Sequence, residues 1–334
     1  MRCIALAQTW QDQGGEVTFI SHCDSVPLKQ RMHDEGISLI PIDRVCPDPS
    51  DIETTLSILK KDLTDKKTWL VLDGYHFTSE YQKAIREKGI RLLVMDDMNH
   101  LTVYHADILL NQNIHAAELK YHCDDDTTLL VGTRYVFLRR EFLKYWDFKR
   151  QIPDRAKNIL VSLGGADPDN VTLKVIQALD FLGGSQIEIT IIVGPANLHE
   201  LCLRSALEST NLNYNLLINP PNMVDLMANT DLGISAGGGT YWELAYMGVP
   251  CIMIVLAENQ RVVAEELAKT NTVINLGWHH LLSSEDMAKA VYPIIVSHQM
   301  RSDMSHRGQA MIDGNGAILT VNAMRSHRRE VAAG

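Results

Sequence analysis

Several patterns that mark common protein classes are missing from this sequence of 334 residues. No apolar run approaches the roughly 20 residues that a transmembrane helix needs, and the first residues lack the charged lead, long apolar core and cleavage site of a signal peptide. The six cysteines show neither C-x-x-C nor another metal-ligand spacing, and several lie in apolar runs, as buried free thiols do. We therefore expect a cytoplasmic protein with reduced cysteines and no membrane span.

Short motifs of several enzyme classes are missing as well. There is no P-loop, no G-x-S-x-G and no G-x-G-x-x-G after a first strand, and the last absence disfavours a nicotinamide enzyme. Histidine and glutamate pairs at metal-binding spacing on a helix are also missing, so we expect no metal and name no cofactor. A net charge of −10 argues against a nucleic-acid or membrane-surface partner. The apolar fraction of 46% and charged fraction of 22% are typical of a soluble globular protein.

What the sequence does contain is an alternation of strand-like and helix-like segments, which predicts βαβ units and parallel sheets. The predicted strands are 15–22, 37–43, 69–73, 91–95, 106–111, 158–163, 186–193, 214–218, 231–234 and 251–256. The predicted helices are 1–13, 27–35, 51–63 with Ser50 as its cap, 79–88, 170–182, 199–208 and 223–229. A polar stretch near Pro153 suggests a junction between two doubly wound α/β domains with a cleft between them. We place the domains at 1–152 and 153–325, with a tail at 326–334.

The most informative stretch is SAGGGTYWELAYMGVP, residues 235–250, which lies between two apolar strand-like segments. The glycines Gly237–Gly239 expose backbone N–H groups where a helix should begin, and a helix N-terminus suits a phosphate. Thr240 adds a hydroxyl at the same edge, and Glu243 is placed to accept a hydrogen bond from a ribose hydroxyl. The pattern favours a nucleoside diphosphate, and the alternative is a tight turn without a ligand.

Three further loops of the second half follow predicted strands, where parallel α/β sheets bind their ligands. The turn GGADP, which includes Gly165, can meet phosphates with its backbone amides, or it is only a βα turn. The loop NPPNM, which ends at Met223, can offer its backbone to the edge of a base. Glu258, Asn259 and Gln260 form a cluster of carboxylate and amides that is unusual for a plain turn, and the alternative for Asn259 is helix capping.

In the first half, the segments DGYH and DDMNH leave the ends of two predicted strands. Asp73, Tyr75 and Asp97 are the candidates in these loops, where acids can position a sugar or a water, although each acid can equally cap a helix. We expect His76 and His100 to be surface or hydrogen-bonded histidines rather than catalytic bases.

Ordered blocks along most of the chain resemble one family. The blocks ILVSLGGADPDN, DLGISAGGGTYWELAYMGVP, LAENQ and DGNGA are similar to segments of the UDP-diacetamido-trideoxy-altropyranose hydrolases of pseudaminic acid synthesis. The blocks RCIALAQ, VLDGYHF, MDDMNH, ADILLNQN and VGTRYVFLRREF resemble that family in the same order, so the resemblance reaches about residue 325. It implies a GT-B-like α/β fold with two Rossmann-like domains facing a cleft. It also implies a role in polysaccharide biosynthesis or flagellin glycosylation.

In that family, UDP is held by the C-terminal domain and the amino sugar faces the N-terminal one. Carried over, the resemblance implies that Gly238, Gly239 and Thr240 bind the diphosphate, that Glu243 binds the ribose and that the loop around Met223 meets the uracil. Glu258, Asn259 and Gln260 would lie at the diphosphate and the sugar. The implied substrate is a UDP-amino sugar, hydrolysed at its anomeric carbon to UDP and the free sugar.

The family also has a Gly-x-Gly-His motif just before the segment that matches MRCIALA, and its histidine is the proposed water-activating base. The present sequence begins after that motif, and its first predicted element is a helix with no preceding strand. We therefore expect a misplaced start or a truncated gene, with Asn259 and Asp97 as the remaining catalytic candidates. The chain as given should bind UDP but hydrolyse poorly, and its first domain should be less stable.

Two alternative functions stay open from the residues. One is a GT-B glycosyltransferase that moves the sugar from a UDP-amino sugar to an acceptor. The other is a UDP-sugar-binding protein without activity, because the histidine of the family lies outside this sequence. The oligomeric state is left open.

Overall fold

The structure is a computed structural model that describes residues 1–60, 68–183 and 187–327. Its helices are α1 (Arg2–Asp12), α2 (Val26–Asp34), α3 (Pro49–Leu59), α4 (Ser79–Glu87), α5 (Arg140–Leu143), α6 (Val171–Phe181), α7 (Glu200–Glu208), α8 (Met223–Ala228), α9 (Gly239–Tyr246), α10 (Glu258–Lys269), α11 (Ser284–Val296), α12 (His298–Met311) and α13 (Gly316–Ser326). Its strands are β1 (Thr18–Ser21), β2 (Ser38–Pro41), β3 (Trp69–Asp73), β4 (Arg91–Met95), β5 (Ile108–Asn111), β6 (Thr128–Val131), β7 (Asn158–Ser162), β8 (Glu188–Val193), β9 (Asn213–Ile218), β10 (Leu232–Ala236), β11 (Cys251–Val255) and β12 (Val273–Trp278).

The chain divides into two compact units. One is formed by Met1–Arg140 together with the stretch that begins at Asn315, and the other by Glu141–Gly314. This division differs from the predicted boundaries, because the junction comes earlier than residue 152 and α13 belongs with the first unit.

The sheets of the first unit are parallel, as the alternation of strands and helices predicted. β3, β4, β5 and β6 lie side by side in one sheet, and β1 pairs with β2 in a second one. Asp73 at the end of β3 lies opposite Met95 at the end of β4. The loops after these two strands therefore leave the same edge of the sheet.

Helix α1 packs against both sheets of the first unit through different faces. Ala5 and Leu6 belong to a core cluster that includes residues of β4 and β5, whereas Ile4 and Ala7 pack in a separate cluster with Met32 of α2. Helix α13 joins the first of these clusters through Ala317, Val321 and Met324. This long-range packing explains why the last described helix lies in the first unit.

The second unit contains a six-stranded parallel sheet in the order β12-β11-β10-β7-β8-β9. Counted from β7 as its first strand, this is the order 3-2-1-4-5-6 of dinucleotide-binding α/β folds. The chain leaves β7 toward β8 and β9, then returns to β10 on the other side of β7. The neighbours β7 and β10 thus flank the point at which the strand order reverses, where such sheets bind their ligands. All residues of β10 and β11 are buried, as in a sheet covered on both faces.

Most predicted elements appear within a few residues of their predicted bounds, and β3 and β4 match them fully. The predicted cap of α3 is wrong. The side chain of Asp48 accepts a hydrogen bond from the backbone N–H of Ser50 at 2.9 Å, and Ser50 lies inside the helix. The reason is Pro49, which favours the first helical position and moves the cap to the residue before it. Residues 61–63 of that predicted helix and residue 186 of a predicted strand lie outside the described residues.

The short elements β6 and α5 were not predicted, and neither were β12, α11, α12 and α13 near the end of the chain. No helix within the described residues combines the length and the apolar character that crossing a bilayer requires.

Candidate functional site

The loops that follow β7 and β10 lie side by side in the second unit. In the paired strands, Ser235 of β10 stands opposite Ser162 of β7, and the Ser235 hydroxyl donates a hydrogen bond to the Ser162 carbonyl at 3.0 Å. This bond fixes the two strand ends against each other. The turn that contains Gly165 and the glycine run at residues 237–239 therefore begin next to each other at the point where the strand order reverses.

Helix α9 begins directly at the glycine run. Gly238 is its N-cap and Gly239 its first residue, and both are exposed. A Cβ atom placed on either glycine would meet nothing within 4 Å. Because Gly238 has no polar side chain, this N-cap offers no side-chain acceptor, so the N–H groups of Gly239 and Thr240 are left for water or a ligand. The positive end of the helix dipole adds to this preference for an anion.

Helix α10 begins beside the same turn, after the next strand of the sheet. Its N-cap is Ala257, which also has no polar side chain. A Cβ atom on Gly237 would come within 3.0 Å of the Gln260 Cβ, so the first turn of α10 packs closely against the glycine run. Two helix N-termini thus converge at this edge of the sheet, a geometry that suits a diphosphate.

The predicted site residues of this part fall into the first turns of the two helices. Thr240 and Glu243 lie on α9, and Glu243 follows Gly239 by four positions and so shares its helix face. Glu258, Asn259 and Gln260 are the first three residues of α10, so the alternative in which Asn259 caps this helix is wrong. The Glu258 carboxylate accepts a hydrogen bond from Arg261 at 2.9 Å. The Gln260 side-chain carbonyl accepts one from the backbone N–H of Leu256 at 3.0 Å.

The turn with Gly165 is held from two sides. A Cβ atom on Gly194 would lie 2.5 Å from the Gly165 Cα, so the turns after β7 and β8 touch backbone to backbone. The Asp167 carboxylate accepts hydrogen bonds from the backbone N–H groups of Val171 at 2.8 Å and Thr172 at 2.9 Å at the start of α6. Sequence reasoning missed this role of Asp167, although an aspartate just before a helical stretch is a recognised signal. Gly165 itself is exposed, with open space where a Cβ atom would lie.

Met223 is the first residue of α8 and follows β9. In the sheet order, β9 is separated from β10 by β7 and β8, so Met223 stands apart from the two helix N-termini along the same edge. Neighbouring strands lie about 4.8 Å apart, so the loop after β9 and the loop after β10 are about 14 Å from each other.

In the first unit, the structure brings Asp73, Tyr75 and Asp97 together around Arg2. The Arg2 guanidinium donates to the Asp73 carboxylate at 2.6 Å and to the Asp97 carboxylate at 2.8 Å. The Tyr75 hydroxyl donates to Asp97 at 2.7 Å, and the Asn113 amide does so at 3.0 Å. Sequence reasoning assigned no role to Arg2 or Asn113, although both lie in the blocks RCIALAQ and ADILLNQN.

Charge pairing keeps Asp73 and Arg2 ionised although both are largely buried. Burial by itself would raise the pKa of the Asp73 carboxyl, but the Arg2 guanidinium outweighs it and holds that pKa below its ordinary value. Burial opposes the charge of Arg2 as well, but Asp73 and Asp97 raise the pKa of its guanidinium. Burial and the neighbouring Asp73 charge raise the pKa of the Cys3 thiol, whose Sγ donates to Asp73 at 2.9 Å. The cluster is therefore a fixed ion network, in which Cys3 is an unreactive thiol.

A buried carboxylate next to Asp97 anchors the loop after β4. Asp96 accepts hydrogen bonds from the Tyr104 hydroxyl at 2.9 Å and from the backbone N–H of Asn99 at 2.6 Å. The His100 ring lies 3.0 Å from Asp96, so His100 is the hydrogen-bonded histidine that was expected. Within the part of the chain that the structure describes, no three His, Cys, Asp or Glu side chains are arranged to hold a metal ion.

The sequence model of the glycosyltransferase family 28 C-terminal domain matches residues 158–314. The match begins at β7 and ends where the second unit ends, so it covers the sheet and the helix N-termini described above. This match covers less than half of the chain.

Among curated proteins, the chain is 29% identical over 265 residues to an uncharacterized protein of Methanocaldococcus jannaschii, covering 76% of this chain and 51% of that protein. It is 25% identical over 263 residues to the spore coat polysaccharide biosynthesis protein SpsG of Bacillus subtilis, covering 78% and 77%. It is 26% identical over 202 residues to the pseudaminic acid cytidylyltransferase and UDP-2,4-diacetamido-2,4,6-trideoxy-beta-L-altropyranose hydrolase of Helicobacter pylori, covering 59% and 36%. The chain thus spans about half the length of the archaeal protein and about a third of the Helicobacter protein.

Solved structures share the fold over nearly the whole chain. MurG of Acinetobacter baumannii has a TM-score of 0.66 at 15% identity, covering 97% of this chain and 95% of that one. S. aureus MnaA, solved with UDP, has a TM-score of 0.68 at 15% identity, covering 97% and 92%. At these identities the likeness shows the fold alone, which is the α/β fold with parallel sheets of GT-B glycosyltransferases, as the sequence predicted.

Proposed function

We propose that this protein acts on a UDP-linked amino sugar in the biosynthesis of a surface polysaccharide. The observation that carries the proposal is the convergence of the α9 and α10 N-termini beside β7 and β10, with open space at Gly238 and Gly239. The names of the Bacillus and Helicobacter relatives support the substrate class and the pathway type. The narrower proposal is hydrolysis of a UDP-diacetamido-trideoxy sugar, of the kind used for pseudaminic acid.

The chemistry asks for stabilisation of a leaving diphosphate. The bond between the anomeric carbon and the diphosphate oxygen breaks, and its electron pair stays on that oxygen. The oxygen of water bonds to the carbon, and one proton of that water passes to the solvent. The backbone N–H groups of Gly239 and Thr240 would donate to the departing phosphate, whose charge increases as the bond breaks. The open space at Gly165 would admit a phosphate oxygen to the neighbouring turn.

The remaining residues are proposed in the roles that the resemblance implies. Glu243 would accept a hydrogen bond from the ribose, and the loop at Met223 would meet the uracil. In the first turn of α10, Glu258 and Gln260 would contact the diphosphate or the sugar.

Asn259 and Asp97 are the proposed catalytic residues, and Asp73 and Tyr75 are proposed substrate contacts. We expect Asn259→Ala and Asp97→Asn to reduce kcat more than they weaken UDP binding. UDP itself should still bind, because neither change removes the backbone donors of α9.

A glycosyltransferase is the second candidate, and the match of residues 158–314 to the family 28 domain favours it. Release of UDP separates the candidates when it is measured with and without a hydroxyl-bearing acceptor sugar. A hydrolase releases UDP and a reducing sugar in water alone, whereas a transferase releases UDP only when the acceptor is present. Calorimetric binding of UDP without release in either condition would mark a binding protein and overturn both enzymatic proposals.

A further inference from the structure

Arg150 lies in the second unit, between α5 and β7, and it donates hydrogen bonds to backbone carbonyls on several sides. Its Nε donates to the Met247 carbonyl at 2.8 Å, and its Nη2 donates to the Met227 carbonyl at 2.6 Å. Its Nη1 donates to the carbonyls of Ala228, at 3.3 Å, and Thr230. The guanidinium therefore joins two separate pieces of backbone, residues 227–230 and Met247, with one rigid group.

Three of these four carbonyls belong to the ends of two helices. Met227 and Ala228 close α8, and Met247 is the C-cap of α9. The last carbonyls of a helix have no partner within the helix and carry the negative end of its dipole, so a cation with several donors complements them. Thr230 lies just before β10, the strand that connects α8 to α9.

We propose that Arg150 is a positioning residue of the UDP site, an inference that rests on the proposed function. Helix α8 has 6 residues and α9 has 8. At 1.5 Å per residue they are about 9 Å and about 12 Å long, short enough to move as rigid rods. Fixing their C-terminal ends therefore fixes their starts, which carry Met223 of the base loop and Gly239 of the diphosphate turn. Arg150 sets the spacing between these two contacts without touching the ligand.

The fork of the guanidinium is what this role requires. Its N–H groups lie in one plane and point in fixed directions, so they reach acceptors of both helices at once. A lysine ammonium carries charge but no rigid fork, and it cannot hold both helix ends in one geometry. Burial lowers the pKa of Arg150 to about 10, against the opposing charge of Asp231, so the group remains charged at neutral pH.

The same unit offers a matched control in Arg301 of α12. This fully buried arginine donates to the carbonyls of Ile294 at 2.9 Å, Pro153 at 2.8 Å and Asp154 at 3.0 Å. These acceptors lie in α11 and before β7. Arg301→Lys thus removes a comparable set of hydrogen bonds to backbone carbonyls at a different place in the unit.

The experiment compares Arg150→Lys with Arg301→Lys in the full chain. Both variants should lower Tm, because each loses charged hydrogen bonds to backbone carbonyls. Arg150→Lys should weaken UDP binding about tenfold and raise KM more than it lowers kcat, whereas Arg301→Lys should leave UDP affinity within about twofold of the original. Equal UDP affinity in the two variants would overturn the role of Arg150.

Amide chemical shifts without UDP separate this inference from the proposed function. We expect Arg150→Lys to move the amide shifts of Met223, Gly238 and Gly239, and Arg301→Lys to leave them in place. Failure of the original protein to bind UDP would reject the proposed function. Unchanged shifts in Arg150→Lys would reject the positioning role in either case. If Arg150→Lys does not fold, the same comparison is made with Arg150→Gln and Arg301→Gln.

Discussion

A substitution of Gly239 should have different effects on UDP affinity if the turn binds a phosphate and if it binds no ligand. Gly239→Ala adds one methyl group where nothing lies within 4 Å and where the backbone is already helical. Folding stability should stay the same or rise slightly, because alanine is the better helix former. UDP affinity should fall about tenfold, because the methyl group occupies the space through which a phosphate reaches the backbone.

Calorimetric titration of UDP together with a thermal melt measures both effects of Gly239→Ala. An unchanged affinity would favour the alternative of a tight turn without a ligand. A lost affinity accompanied by a lower Tm would indicate a folding defect instead.

Asp73 gives a pH-dependent prediction for the first unit. Because its native pKa is held below the ordinary value, mainly by Arg2 working against burial, its contribution to the free energy of unfolding is complete above about pH 4. That contribution is lost as pH falls through the lowered native pKa. Asp73→Asn should therefore cost about 2 kcal/mol at pH 7, with the difference shrinking in acid.

Urea unfolding at pH 7 and pH 3 tests the Asp73 pair. The matched control is Glu285→Gln, which breaks an ion pair with Lys289 on the surface, where both side chains are 69% exposed. That control should change little at either pH. A cost for Asp73→Asn that is equal at both pH values would contradict the pairing with Arg2.

At the scale of elements, the start of α6 depends on the side chain of Asp167. Its carboxylate accepts from two backbone N–H groups and from the Thr172 hydroxyl at 2.6 Å. Asp167→Ala should lower the free energy of unfolding by about 2 kcal/mol, because it leaves these buried donors without an acceptor. It should also speed hydrogen exchange at Val171 and Thr172.

Asp180, an exposed residue near the C-terminal end of α6, provides the control position. Asp180→Ala should leave both the stability and the exchange of Val171 unchanged. Equal effects of the two substitutions would show that Asp167 does not act as a cap.

Local patterns predicted the strands and helices well where hydrophobic runs were long, as in β3, β4 and β11. The elements β6 and α5 have only four residues each, too few for a period to show. The place of α13 could not be predicted either, because Val321 packs against residues near position 5 that are distant in sequence.

Some features of the candidate site could likewise be predicted from the sequence, and others could not. The glycine run and the first turn of α10 were visible from residue type and from their position after strands. The acceptors of Arg150 and the partners of Arg2 were not visible, because they arise from contacts between segments that only the folded backbone brings together.

At the scale of the whole molecule, a chain of net charge −10 is proposed to bind an anion. Long-range repulsion is screened beyond about 10 Å at moderate salt, so nearby donors decide the binding. The second unit provides such donors at the starts of two helices, at the reversal point of a sheet with dinucleotide-binding strand order. We propose that this edge of the sheet holds the diphosphate of UDP.

The most direct test is a titration of the isotopically labelled protein with UDP, followed through its backbone amide resonances. We expect saturable shifts that are largest for Gly238, Gly239 and Thr240, with smaller ones at Asn259 and Met223. Shifts that are absent, or that concentrate on the distant groove between α6, α7 and α11, would contradict it.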